Sequence, residues 1–383
     1  MRKRFFVLLT AVGISTTVLA QKAVESNPKL ASLFTSYYED NLKLSPLQAT
    51  VNGDNRYNDV MPISFTNGYN EQQRVFLQKY LTALNGIDRS SLNANDQLSY
   101  DVFKRNLELG LQGLKFKTNL IPLDQFNGFH LLFGQLGSGT VIQPFKTVKD
   151  YDNWLKRASV FPAMVDSAIV YLKQGVAQNM VLPKALATKM APQLAAFVTT
   201  DPTTSVFYGP IKNMPADFPA ADKQRLTEAY VKMINEQIVP SYKKLAAFIQ
   251  NDYLPHTRTT SGIGALPEGA AYYRYRIQLM TTTNKTPDEI FNTGLSEVKR
   301  ISAEMEKVKQ EVGFKGTLKE FFDYMRTDPK FKPYKTAEDV LNAYRAVQQK
   351  VEPHLSELFL HNPKTPFEIR QTEAFRAASS AAQ

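Results

Sequence analysis

The sequence contains no cysteine. That absence excludes disulfides, thiolate zinc sites and the cysteine to which a bacterial lipoprotein attaches its lipid. A chain of 383 residues can bury enough apolar area without such staples. Histidine is scarce too, at His130, His256, His354 and His361. There is no HExxH pair, no Gly-x-Ser-x-Gly elbow and no Gly-Lys-Ser/Thr phosphate loop. Past the first twenty residues no apolar run is long enough to cross a bilayer.

The start has the form of a secretory leader. Arg2, Lys3 and Arg4 precede a mostly apolar stretch from Phe5 to Leu19, and Val18-Leu19-Ala20 offers a cleavage site after Ala20. The expectation is a signal peptide over 1–20, a helical domain over 21–383, and a periplasmic or secreted protein with no membrane contact after cleavage. Loss of Arg2, Lys3 and Arg4 lowers the formal charge from +10 to +7. From Lys299 to Lys335 the basic residues alternate with Glu304, Glu306, Glu311, Glu320, Asp323 and Asp328, the pattern of solvated helix faces rather than of a nucleic-acid surface.

Helix signals recur along the chain. Asn27-Pro28 gives a cap and a first-turn proline, and Leu30, Leu33, Phe34, Tyr37 and Tyr38 share one face. Ser45-Pro46-Leu47-Gln48 reads as a capping box, as do Thr286 with Glu289 and Thr317 with Glu320. Ala220 to Tyr253 predicts one long helix disturbed near Pro240. Leu120 to Pro144 holds Gly128, Gly134, Gly137 and Gly139 and predicts an ordered loop. Pro366 to Arg370 alternates after a proline and predicts a short edge strand. The fold class expected is mostly α, a large irregular multi-helix domain with that strand near its C-terminus.

Chemistry is sparse. His354, Glu357 and His361 would share a face of an unbroken helix and could hold a metal, but Asn362-Pro363 ends the helix there, and a histidine at a helix C-terminus is also favoured by the dipole. Ser138 is an isolated loop serine. Tyr272, Tyr273, Arg274 and Arg276 follow a Gly/Pro loop. They read either as ordinary helix packing or as a cleft wall whose phenols and guanidinium groups bind a peptide backbone or carboxylate.

Ser45-Pro46, Ala49-Thr50, Gly53-Asp54, the block Gly264 to Tyr273, Thr281-Thr282-Thr283, Thr286 to Ile290, Gly294-Leu295, Glu297-Val298, Pro366 to Arg370 and Ala378-Ser379 together resemble the bacterial domain-of-unknown-function 885 family. The resemblance implies a thermolysin-like, all-helical zinc metallopeptidase. In such proteins histidines hold Zn²⁺ and a glutamate activates water. Those residues would follow the point where this sequence stops. The expectation is therefore an N-terminal, substrate-enclosing portion, inactive alone, with zinc only in the intact family member. Its partner would be a peptide, and exposed apolar surface would promote self-association, with Phe321, Phe322, Phe331, Phe359 and Phe367 as candidates. The alternative is a non-catalytic periplasmic binding or scaffold protein. A carbohydrate-capturing lipoprotein is disfavoured by the missing cysteine.

Overall fold

The computed structural model describes residues 26–372, so the leader and Ala378-Ser379 lie outside the described residues. Among the described residues the chain forms sixteen α-helices. These are α1 (Pro28–Leu44), α2 (Pro46–Val51), α3 (Asn67–Asn85), α4 (Ala94–Gly113), α5 (Phe129–Gly137), α6 (Val148–Ala158), α7 (Phe161–Ala177) and α8 (Lys184–Ala195). They continue as α9 (Gly209–Lys212), α10 (Ala220–Met233), α11 (Val239–Phe248), α12 (Gly269–Thr281), α13 (Pro287–Glu311), α14 (Leu318–Thr327), α15 (Ala337–Val351) and α16 (Leu355–Leu358). No sheet occurs among them, only isolated bridges between Leu123 and Gly128 and between Pro183 and Arg258.

The mostly helical class is as expected, and the edge strand is not. Among the described residues, 366–370 have no strand beside them to complete a ladder. Alternation alone makes a strand only where a partner supplies the hydrogen bonds.

The described residues divide into two compact units. One runs up to Asn41 and adds Arg74–Leu111; the other takes Leu42–Gln73 and everything from Gln112. In the first unit Asn27 caps α1, its Oδ1 accepting from the amides of Lys29 (3.0 Å) and Leu30 (3.2 Å). Leu30, Leu33, Phe34 and Tyr37 turn inward against Tyr80, Leu84, Tyr100 and Phe103, while Tyr38 stays exposed. Asp96, buried at the start of α4, accepts from Ser26 Oγ and the Asn27 amide at 2.8 and 2.7 Å.

The second unit has the larger core. Phe133 stacks on Phe161 at 4.2 Å and Phe197 on Tyr242 at 4.4 Å, with Trp154 and Phe207 beside them. Helix α5 lies in this core, where the sequence predicts a loop. Its glycines are contact surfaces rather than breakers. A Cβ at Gly134 would come within 2.6 Å of Phe197, and one at Gly137 within 2.3 Å of Phe207. Only hydrogen fits where the helix backbone meets those rings.

The long helix predicted from Ala220 is continuous but twice widened. Five-residue π turns span Ile234–Ile238 and Ile249–Tyr253. Each runs up to within two residues of a proline, Pro240 and Pro255. A proline ring clashes with the carbonyl four residues back and has no N–H to donate, and a wide turn absorbs both defects. The boxes at Thr286–Glu289 and Thr317–Glu320 are formed reciprocally. Ser45 makes no capping bond, and Gln48 instead donates to Asn52 Oδ1 at 2.9 Å.

Arg157 is the most unusual core residue, a fully buried cation on α6. Its guanidinium donates to Thr50 Oγ1 (2.7 Å), the Tyr57 carbonyl (2.8 Å), the Val60 carbonyl (3.1 Å) and Gln143 Oε1. Lys156 beside it pairs with Asp59 at 2.6 Å. One side chain thus ties the segment 50–60 to α6. Burial pulls the Arg157 pKa down to about 10, which leaves it charged at neutral pH.

The last third exposes apolar faces. On α13 Phe291, Leu295, Val298, Ile301, Met305 and Val308 are all exposed, as is Val312 just after it. From Phe291 the seam recurs in steps of three and four, the spacing of an interhelical contact. Of the phenylalanines expected outside, Phe322, Phe331, Phe359 and Phe367 are exposed. Phe321 is buried instead, packed on Phe314 at 5.2 Å, because it shares the inward face of α14. No helix among the described residues is long and apolar enough to cross a membrane.

Candidate functional site

Helix α12 carries the Tyr/Arg block. The loop before it is pinned by Arg258, which donates to the carbonyls of Gly262 (2.9 Å) and Val181 (3.2 Å). The entry to α12 is tight: Glu268 sits at φ +55°, and a Cβ at Gly269 would lie 2.3 Å from the Ile263 carbonyl. That contact explains a glycine at this position of the loop.

The four sequence-predicted residues separate on the helix. Tyr272 lines a cavity of about 400 Å³ with Phe116, Lys117, Met180, Leu266 and Glu268. Its ring lies 5.1 Å from Phe116. Arg276, one turn on, shares its face and is exposed, while Tyr273 is exposed on the flank and Arg274 points to the far side. Packing belongs to a neighbour, Tyr275, which is buried, its ring tilted against Phe116 at 5.3 Å. Burial raises the Tyr275 pKa, so its phenol is neutral. Within the block, Tyr275 packs inward and Tyr272 lines the cavity. Lys117 at the rim donates to Gln178 Oε1 at 2.8 Å. Lys117 and Glu268 place opposite charges on one aromatic-walled cavity, a combination that suits a small zwitterion or a peptide end.

A second hollow, a groove of about 950 Å³, lies between α15 and the segment 367–372. Nothing local joins them, and Arg370 reaches the Thr140 carbonyl (2.9 Å) across 230 positions.

The histidine cluster does not assemble. His354 Nδ1 meets Glu357 Oε1 at 2.9 Å, but α16 ends at Leu358 and His361 lies beyond it. Among the described residues no group of three or more His, Cys, Asp or Glu is placed to hold a metal ion, so the zinc implied by the resemblance finds no donor set in them. Ser138 is buried against the Gln135 carbonyl (2.8 Å) and Thr140 Oγ1 (2.8 Å), with no histidine among its bonds.

Comparison with known proteins gives fold relatives. A crystal structure from Colwellia psychrerythraea, provisionally described as a lipoprotein, aligns with a TM-score of 0.80 at 20% identity, over 92% of this chain and 63% of that one. A second, from Shewanella oneidensis and also provisionally described as a lipoprotein, of unknown function, aligns with a TM-score of 0.52 at 16% identity, over 92% and 62%. The chain thus spans less than two thirds of either relative, and likeness at this identity shows the fold alone. No curated protein matches. A family model described as "Bacterial protein of unknown function (DUF885)" matches residues 46–383, and the chain belongs to that family.

Proposed function

We propose that this chain is exported and forms the substrate-enclosing portion of a thermolysin-like, all-helical peptidase fold, binding peptide at α12 without cleaving it alone. The observation that carries this reading is the cavity at Tyr272, an aromatic wall with a cation and an anion at its rim. Lys117 would meet a peptide carboxylate, Glu268 an amine, and the Tyr272 phenol an amide. Its size suits two or three residues. Export is supported by the leader-like start and by the lipoprotein descriptions of the fold relatives, although this sequence has no cysteine to acylate. Fluorescence anisotropy with a labelled tripeptide tests the site. Tyr272→Ala should weaken binding about tenfold through lost stacking and hydroxyl contact, while Tyr272→Phe keeps most of it. Equal affinity in wild type and Tyr272→Ala would remove the site.

In this reading the seam of α13 packs against further helical structure in the complete fold. Left bare, it should bind a hydrophobic dye and drive concentration-dependent association. Light scattering should show the association suppressed in Val298→Lys with Ile301→Glu. A wild-type chain that stays monomeric and dye-free at high concentration would show the seam to be inert.

A further inference from the structure

The groove beside α15 has an unusual wall. Residues 366–372 run without helix, turn or bend. All six residues from Phe367 to Thr372 contribute to the groove. With six consecutive residues lining it, the main chain itself forms part of the wall. Among the described residues its amides make no backbone hydrogen bond. The segment is held from two points: Gln348 Nε2 donates to the Phe367 carbonyl at 3.4 Å, and Arg370 donates to Thr140. Opposite it, α15 presents Leu341, Tyr344, Val347 and Val351.

A main chain outside helix and turn, with no backbone hydrogen bond among the described residues and facing an apolar helix, is an arrangement that can receive another strand, with main-chain bonds on one side and side-chain pockets on the other. Charge narrows the occupant. Glu352 and Glu368 also line the groove, and neither has an ion pair among the described residues. Arg370, the cation there, has one guanidinium nitrogen committed to Thr140.

We propose that this groove binds an extended peptide of alternating apolar and basic residues. The peptide pairs its main chain with residues 367–372 and sets its apolar side chains on α15. The proposal rests on the peptide-binding reading above and adds a second subsite with its own specificity.

The probe is a fluorescein-labelled, end-capped hexapeptide alternating Val and Lys, followed by anisotropy on the whole chain. Saturable binding is expected, and N-methylation of alternate amides should weaken it at least about tenfold, since it removes the pairing donors. Glu352→Gln with Glu368→Gln should cost roughly fivefold, the range of two exposed ion pairs. Val347→Asp should lower affinity for the hexapeptide and leave the tripeptide affinity at α12 in place, which separates failure of this subsite from failure of the other. Equal binding of the N-methylated peptide, or hexapeptide binding that survives Val347→Asp but is lost in Tyr272→Ala, would overturn the proposal.

Discussion

Arg157→Ala should cost about 3–5 kcal/mol of stability at neutral pH, the scale of leaving several buried acceptors unpaired at roughly 1–3 kcal/mol each. The substitution leaves Thr50 Oγ1, the Tyr57 and Val60 carbonyls and Gln143 Oε1 without their donor. Buried acceptors so abandoned lose their hydrogen bonds and regain no water. A cavity the size of the lost side chain adds to the cost. Arg157→Lys keeps the charge but cannot fork to four oxygens, and its loss should fall between the two. Denaturant unfolding at pH 7 gives the comparison. Limited proteolysis gives a local readout, since segment 50–60 should become the first site cut in Arg157→Lys. A loss below about 1 kcal/mol in Arg157→Ala would place the network among ordinary surface contacts.

The second large effect is a loss of stability in acid centred on His130. This side chain is wholly buried, and neither ring nitrogen has a hydrogen-bond partner among the described residues. Burial lowers its pKa from 6.5 to about 4, against a smaller opposing pull from Asp124. The unfolded imidazole takes up a proton below pH 6.5, and the folded one refuses it until about pH 4. Protons in that window therefore favour the unfolded chain. Stability is full above pH 6.5 and declines as pH falls toward 4. The span of roughly 2.5 pH units corresponds to about 3 kcal/mol. Carboxylates add their own pH dependence to every variant, so the difference between wild type and His130→Leu isolates the imidazole. The variant should match or exceed the wild type at pH 7.5, because it removes two unpaired polar atoms, and should gain about 3 kcal/mol over it by pH 4. Parallel pH profiles for the two proteins would show that His130 is not the titrating group.

What was legible in the sequence was local. The boxes at Thr286 and Thr317 and the cap at Asn27 depend on residues three apart, and they form as read. The proline disturbance near Pro240 was legible in place but not in kind, because a wide turn keeps the helix running. Helix α5 was not legible. Glycine reads as a breaker until Phe197, Phe207 and Trp154, all distant in sequence, are known to press on it. Arg157 was missed for the same reason: one arginine in an amphipathic helix gives no sign that oxygens about a hundred residues earlier converge on it. At the candidate site the sequence singled out the Tyr/Arg block that lies on α12. It could not tell that Tyr275 turns inward and Tyr272 toward a cavity, because that depends on where Phe116 lies.

The proposed function has two parts, peptide held at α12 and peptide left whole. A tripeptide with a photoreactive diazirine side chain, incubated with the purified chain, irradiated and mapped by mass spectrometry, addresses both parts in one experiment. Adducts are expected on Phe116–Thr118 and Leu266–Tyr272, the segments that wall the cavity, with the unbound peptide recovered intact. Adducts on neither segment, or cleavage products that accumulate with the wild-type chain and vanish in Tyr272→Ala, would contradict it.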